Sequence, residues 1–373
     1  MKKRWARIGL RAGLCGFFLL CGCWDQHLLK DERNVSIGGM DAGQGDKLVA
    51  TVSIRDITTT ELGSKDLSEV HTVLARTTQH ARDLLNDEVS GDYSNSKMRV
   101  LLLGEELAKN HDFMPHMDVY YRDPKSPLSA RVAVTQGTAK EMVELRKIGS
   151  RTIGLYIDNL LKSSVDTSSI PDVNIQTLHP LDRGYDFAVP YLTIKDSMPS
   201  LLGTALFSGT RMTGKLNLDE SKLYLLLCDQ IGKTLKLTLK SNTPSAPDGY
   251  EYVTVDVNKA KRKFKVTVTK DGEIRARLHL RLRVTVVEDP SNHLYKMAVM
   301  HDLERHLSRE LTSNAQDVVE KIQRANHDGF GIARRLMSFH PKVWEQLDWN
   351  KEYPRIPFDT SVSLQIINTG ITD

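Results

Sequence analysis

Cysteine is nearly missing from this chain, with four in 373 residues. Cys15, Cys21 and Cys23 sit at the very start, so Cys228 is the one thiol in the body of the sequence. It follows Leu225-Leu226-Leu227, which favours a buried, inert side chain over a reactive one. Long apolar runs are missing too. Beyond the first residues nothing approaches the roughly 18 consecutive apolar positions of a spanning helix, and Leu223 to Cys228 is far too short. The chain also lacks a phosphate-binding loop, a dinucleotide glycine pattern and a nucleophile elbow. Gly43-Gln44-Gly45 is too short to cradle a phosphate and reads as a turn. His111 with His116 and His301 with His306 are each five apart. That spacing turns a helix by about 500° and leaves the imidazoles about 140° apart, so neither pair suggests a metal site. Glu105-Glu106 is explained by a helix start. No nucleophile with a base and an orienting partner emerges, and the chain reads as non-enzymatic, without cofactor or metal.

What is there begins with a leader. Lys2, Lys3, Arg4, Arg7 and Arg11 hold the start at the cytoplasmic face, and Ala12 to Cys21 is apolar but too short to span conventionally. Leu20-Cys21-Gly22-Cys23 closes it, and Leu-x-Gly-Cys resembles a bacterial lipoprotein signal. The expectation is cleavage between Gly22 and Cys23, with S-diacylglycerol on the Cys23 thiol and an acyl group on its freed amine. Two or more chains anchor stably where one holds only marginally. With Cys23 acylated, no intramolecular disulfide remains, and a body of this size can fold without one. Removing the five leader cations from the formal +4 leaves −1, so the mature chain as a whole has no pull toward nucleic acid or anionic lipid.

About 350 residues then remain, enough for two or three domains. Asn34 to Met40 and Lys47 to Arg55 read as a hairpin, and Val70 to Leu74 as a strand. Thr78 to Val89 is helical with Thr77 or Thr78 as cap. Met98 to Leu103 is nearly continuously apolar and runs into a helix at Gly104-Glu105-Glu106. Phe113 to Tyr121 reads as helix, Arg131 to Gln136 as strand, and Thr138 caps a helix through Leu145. Ser163 to Asn174 reads as a loop and Phe187 to Ile194 as a strand. Leu202 to Phe207 and Met212 to Leu216 form a hairpin, and Asp219 to Asp229 a short helix.

The most linker-like stretch is Ser241 to Gly249. Beyond it Tyr252 to Val257, Phe264 to Thr269 and Ile274 to Val287 alternate as strands. In the last of these Arg275, Arg277, His279, Arg281 and Arg283 make one face densely basic; a solvated outer face is the favoured reading over anion binding. Tyr295 to Asn326 is a long amphipathic helix, with Ser308 to Ser313 as the place for a break. A strand from Thr360 to Ile367 closes the chain. The fold class expected is α+β, with mixed β-sheets flanked by helices and a β-rich C-terminal part carrying one long helix. The expected division is a signal peptide at 1–22, an N-terminal α/β domain at 23–198 and a C-terminal α+β region at 199–373, with a further split near 241–249.

Three separated stretches resemble the lipoprotein C subunits of bacterial spore germinant receptors. They are Gly22-Cys23-Trp24-Asp25; Ser96 to Ala108, continuing through Tyr121-Arg122-Asp123-Pro124 and Val132 to Glu141; and Lys321-Ile322-Gln323 with Asp328-Gly329-Phe330-Gly331, Pro341 to Trp344, Trp349, Val362 to Ile367 and Gly370. Gly203 to Phe207 with Gly214-Lys215-Leu216 is similar to the family's middle segment. His27-Leu28-Leu29 departs from the acidic residue common soon after Cys-Trp-Asp. The resemblance implies a mixed α/β body in three domains, with no catalytic chemistry. It implies a place on the outer surface of the inner spore membrane beside integral membrane A-type and B-type subunits, in a complex that senses nutrients and triggers germination. Asp25 to Arg33 would serve as a tether. A lipid-anchored solute-binding protein, with two similar α/β lobes around a cleft, is the alternative, and a cell-wall hydrolase comes last.

Overall fold

The computed structural model describes residues 32–45, 47–60, 63–178, 186–241, 251–290 and 296–369. Gly22, Cys23, nearly all of the tether and most of the expected linker lie outside the described residues.

The described chain opens with an antiparallel meander of β1 (Glu32–Ala42), β2 (Leu48–Thr60) and β3 (Gly63–Ala75). α1 (Thr78–Glu88) follows, capped by Thr77, whose hydroxyl accepts from the His80 amide. After the short β4 (Asp92–Ser94), β5 (Val100–Gly104) runs parallel to β1, and α2 (Glu105–Asn110) opens with its two glutamates at the positive end. Next come α3 (Met114–Arg122), β6 (Arg131–Thr135), α4 (Ala139–Glu144), the two-residue strands β7 (Lys147–Ile148) and β8 (Arg151–Thr152), and α5 (Ile153–Asp166). β9 (Ala188–Lys195) pairs parallel with β6, and β10 (Met198–Ser208) and β11 (Arg211–Leu216) extend that edge antiparallel. The order β11-β10-β9-β6-β5-β1-β2-β3, with β4 beside β1, makes a nine-stranded sheet.

The parallel centre of this sheet accounts for the apolar run at Met98 to Leu103. Val100 and Leu102 enter a core shared with α4 and α5, while Leu101 and Leu103 enter one shared with α1, α2 and α3. A strand covered on both faces has no position to spare for a polar side chain. The buried Asp41 carboxylate bolts β1 to the start of α4, accepting from the Ala139 amide at 2.7 Å and the Lys140 amide at 2.9 Å. Gly104 makes room for it, since any side chain there would collide with Asp41.

α6 (Leu218–Cys228) starts in a capping box between Asn217 and Glu220. The second sheet has four strands in the order β12 (Lys236–Lys240), β13 (Tyr252–Val268), β14 (Ile274–Glu288) and β15 (Phe358–Asn368), the last parallel to β14. Between β14 and β15 lie α7 (Met297–Arg324), α8 (Ile332–Phe339), α9 (Pro341–Trp344) and α10 (Trp349–Glu352). Ile274, Ala276, Leu278, Leu280, Leu282 and Val284 turn inward against Leu307, Leu311, Ala315, Val318 and Ile322 of α7.

β15 is an edge strand, and α7 seals it. The amides of Ile366, Leu364 and Val362 donate to Glu304 Oε1 at 2.7 Å, Ser308 Oγ at 2.9 Å and Thr312 Oγ1 at 3.0 Å, and Gln316 Nε2 donates to the Thr360 carbonyl at 3.4 Å. Four helical residues rise about 6.0 Å and two strand residues about 6.6 Å, so one side chain per turn meets every second residue of the strand. An open sheet edge is thereby closed without another strand.

The α+β class read from the sequence holds, and several details differ. The helix expected to break at Ser308 to Ser313 is continuous, because its hydroxyls are engaged by β15. The strands expected at Tyr252 to Val257 and Phe264 to Thr269 are one long β13, bent by irregularities near Val255 and Lys259. The loop expected from Ser163 begins as the last turn of α5. The large sheet crosses the boundary expected at 198/199, since β10 and β11 hydrogen-bond onto β9.

Candidate functional site

The two sheets meet at a buried polar joint built on the turn after α7. There Asn326 and Gly331 adopt left-handed backbone conformations, φ 51° and 68°, and fold Ala325 to Gly331 back under the large sheet. His327 is fully buried. Its Nδ1 lies 2.6 Å from the Phe207 carbonyl, which can only accept, so Nδ1 carries the proton. Nε2 then accepts from the Tyr224 hydroxyl at 2.9 Å. Burial holds this imidazole below the usual histidine range, in keeping with a neutral ring. One side chain thus ties β10 to α6, and the Tyr353 hydroxyl donates to the His327 carbonyl at 2.6 Å from beyond α10.

Asp328 does the same work one residue on. Its carboxylate accepts from the Ile332 amide at 2.9 Å and the Ala333 amide at 2.7 Å, capping α8. Its own amide donates to Asp186 Oδ2 at 2.8 Å, and Asp186 Oδ1 accepts from the Gly209 amide at 2.8 Å in the β10–β11 turn. Burial pushes the Asp328 carboxyl up to about 7, against the pull of the helix amides. A cavity of about 530 Å³ opens beside the joint, with Cys228, Arg262, Phe330, Arg335 and Phe339 on its walls. The guanidinium groups of Arg262 and Arg335 lie 4.6 Å and 5.1 Å from the Phe264 ring centre. The half-buried Cys228 thiol donates to the Gly329 carbonyl at 3.6 Å. Burial pushes it up to about 12, so it stays protonated and a poor nucleophile. In this joint the donors and acceptors hold one element to another.

The residues singled out from the sequence fall elsewhere. Gly22 and Cys23 lie outside the described residues. His111 ends α2 and His116 belongs to α3, so helix rotation does not relate this pair as expected. His301 and His306 share α7; the first meets Glu304 at 3.0 Å and the second donates to the Lys240 carbonyl at 3.1 Å. Among the described residues no group of three or more His, Cys, Asp or Glu is placed to hold a metal. Glu105 accepts from the buried Tyr191 hydroxyl at 2.8 Å, which fixes α2 to β9. The basic stripe of β14 is on the sheet's outer face, and β13 doubles it. Register sets Lys259 opposite Arg283, Lys261 opposite Arg281, Lys263 opposite His279 and Lys265 opposite Arg277.

No motif in the sequence marks Asp186, His327 and Tyr224 as a group. The readable trace was Asp328-Gly329-Phe330-Gly331 just ahead of an apolar helical stretch, where an acid can reach back to free amides.

Residues 25–194 match the family described as spore germination protein N-terminal domain, and residues 202–370 match spore germination B3/GerAC-like, C-terminal. The chain belongs to the GerAC-type family of germinant-receptor C subunits. It is similar to spore germination protein GerQC of Bacillus cereus, 20% identical over 95% of this chain and 96% of that protein. It is also similar to spore germination protein B3 of Bacillus subtilis (strain 168), again 20% identical, over 95% and 96% of the two chains. Among solved structures, the crystal structure of the GerBC protein matches with TM-score 0.55 and 17% identity, over 89% of this chain and 97% of that one. That likeness concerns the fold. A GerAC-type body of this shape also departs from the two-lobed alternative, because its nine-stranded and four-stranded sheets are not copies of one another.

Proposed function

We propose that this chain is a lipid-anchored, non-catalytic subunit of a spore germinant receptor, required for nutrient-triggered germination. In this reading it docks against integral membrane A-type and B-type subunits and couples them mechanically. The observation that carries the proposal is the order of parts: a lipoprotein-like leader ending at Gly22-Cys23 stands directly ahead of two spore germination regions, 25–194 and 202–370. Cys23 is the proposed attachment, and the extracytoplasmic face of the inner spore membrane the proposed place. No described helix is long and apolar enough to cross a membrane, which agrees with attachment from outside. Confinement to a bilayer raises the effective concentration near membrane partners, so modest contacts suffice to hold a complex. The His327–Asp328 joint suits a coupling part, since a push on either sheet is carried to the other. Cys23→Ala is expected to release the protein from spore membranes and to weaken germination with the body still folded. Full membrane retention in that variant would sink the anchor.

A further inference from the structure

We propose that the outer face of the four-stranded sheet is a docking surface for anionic phospholipid headgroups, a second membrane contact that rests on the lipid attachment proposed above. On β13 and β14 alone, eight fully cationic side chains occupy this face: Lys259, Lys261, Lys263 and Lys265, and Arg275, Arg277, Arg281 and Arg283. All are exposed. Like charges directly across an antiparallel pair repel at about 5 Å, which weakens the sheet that carries them.

The fold does not ask for them. Strand alternation needs only polar residues at these positions, and Thr238 on β12 and Ser361, Ser363 and Gln365 on β15 meet that need without charge. Counter-ions are few. Arg277 meets Asp359 at 2.7 Å and Arg275 meets Glu273 at 2.9 Å. Among the described residues no acidic group pairs with Lys259, Lys261, Lys263, Lys265, Arg281 or Arg283. With a net charge near −1 for the whole mature chain, this concentration of cations makes the body strongly dipolar and gives it a preferred side toward an anionic surface.

The chemistry favours headgroups over other anions. The centre of the face carries no aromatic or large apolar side chain, which a protein interface would use as its anchor and a nucleic acid as a stacking platform. At its hairpin end Lys265, Thr267, Arg275 and Arg277, with Asp359, border a hollow of about 360 Å³, roomy enough for a phosphate ester. A field of long flexible cations recognises charge density, which is what an anionic leaflet presents.

The experiment uses the full-length lipidated protein with vesicles of phosphatidylcholine alone or mixed with phosphatidylglycerol. A nitroxide is placed at Lys263→Cys, or on the far side at Glu320→Cys, and its approach to the bilayer is read with a lipid-borne relaxation probe. The protein is expected to float with both vesicles, and the label at 263 to approach lipid only when phosphatidylglycerol is present. That approach is expected to be lost in about 1 M salt, where screening acts within about 3 Å, and lost in Lys261→Glu/Arg281→Glu, while the label at 320 stays away throughout. Flotation with labels at 263 and 320 equally distant overturns the docking face and leaves the anchor standing. Flotation on phosphatidylglycerol alone supports the face and sinks the anchor. Flotation on neither overturns both. Shielding of position 263 that appears only when the membrane subunits are added assigns the face to a protein partner and overturns the lipid proposal.

Discussion

The two sheets solve the same problem in opposite ways. The nine-stranded sheet is covered on both faces by helices, and its central strand β5 is apolar along its whole length. The four-stranded sheet is covered on one face by α7 and leaves the other bare, so from Ile274 to Val284 β14 alternates buried aliphatic residues with outward-facing arginines and His279. The first arrangement spends its sequence on stability. The second keeps half of its positions free for something else, and closes its exposed edge with a helix instead of a strand. Where the two arrangements meet, polar groups take over from apolar packing: His327, Asp328 and Asp186 are bonded to backbone from both sides. A body divided in this way can be stiff across the joint and still offer one chemically open surface.

Breaking the joint is expected to have the largest effect. His327→Leu keeps volume but strands two buried groups, the Phe207 carbonyl and the Tyr224 hydroxyl. At about 1–3 kcal/mol for each unsatisfied group the loss should be roughly 2–6 kcal/mol. Denaturant unfolding followed by two probes, one in each sheet, should show the wild type as a single transition and the variant as two. A single transition of unchanged midpoint would mean that the joint does not couple the sheets.

The neighbouring carboxyl should make stability depend on pH. Asp328 is raised from the ordinary aspartate value of 3.8 to about 7 by burial. Between those values the folded state keeps a proton that the unfolded state has released, so stability falls as pH rises through that window and levels off above it. The effect is on the order of 4 kcal/mol for a shift of about three units. Asp328→Asn cannot titrate. Its unfolding free energy should start lower, for want of one amide acceptor, and run flatter from about pH 4 to about pH 7. Asp41 is raised for the same reason and is untouched by this change, so the difference between the two pH profiles isolates Asp328. Parallel profiles would refute the assignment.

Edge sealing should matter somewhat less. Ser308→Ala removes the acceptor for the Leu364 amide while leaving helix propensity favourable, so any loss reports the edge bond; about 1–3 kcal/mol is expected. Amide exchange at Leu364 should rise with it.

What could be read in advance follows the same division. Met98 to Leu103 and the alternating Ile274 to Val287 were readable because burial on two faces and burial on one face leave different periods in the sequence. The unbroken α7 was not. Ser308 and Thr312 look like helix-weakening residues until β15, more than forty residues later, supplies the amides they accept from. The four lysines of β13 leave no clear signal for a related reason. Lys259 to Lys265 has no apolar-polar alternation clean enough to announce a strand, because Arg262 takes an inward position and stacks on Phe264. Only register reveals that they face the arginines. The joint is hidden most deeply, since His327 lies far along the chain from Phe207 and Tyr224 and no motif links the three.

The smallest expected effect is also the sharpest contrast with the covered sheet. Lys261→Thr and Arg281→Thr each remove one member of a like-charge pair on an exposed strand and put a β-favouring residue in its place. If the cations are there for the fold, these changes should destabilise. If they are held against the interest of the fold, stability should rise by about 0.2–1 kcal/mol for each change, and the gain should shrink as salt screens the repulsion. Thermal unfolding at low and high salt decides between these. A gain at low salt that fades at high salt would mark β13 and β14 as strands that tolerate repulsion for a task outside folding, which the apolar strands of the large sheet have no room to do.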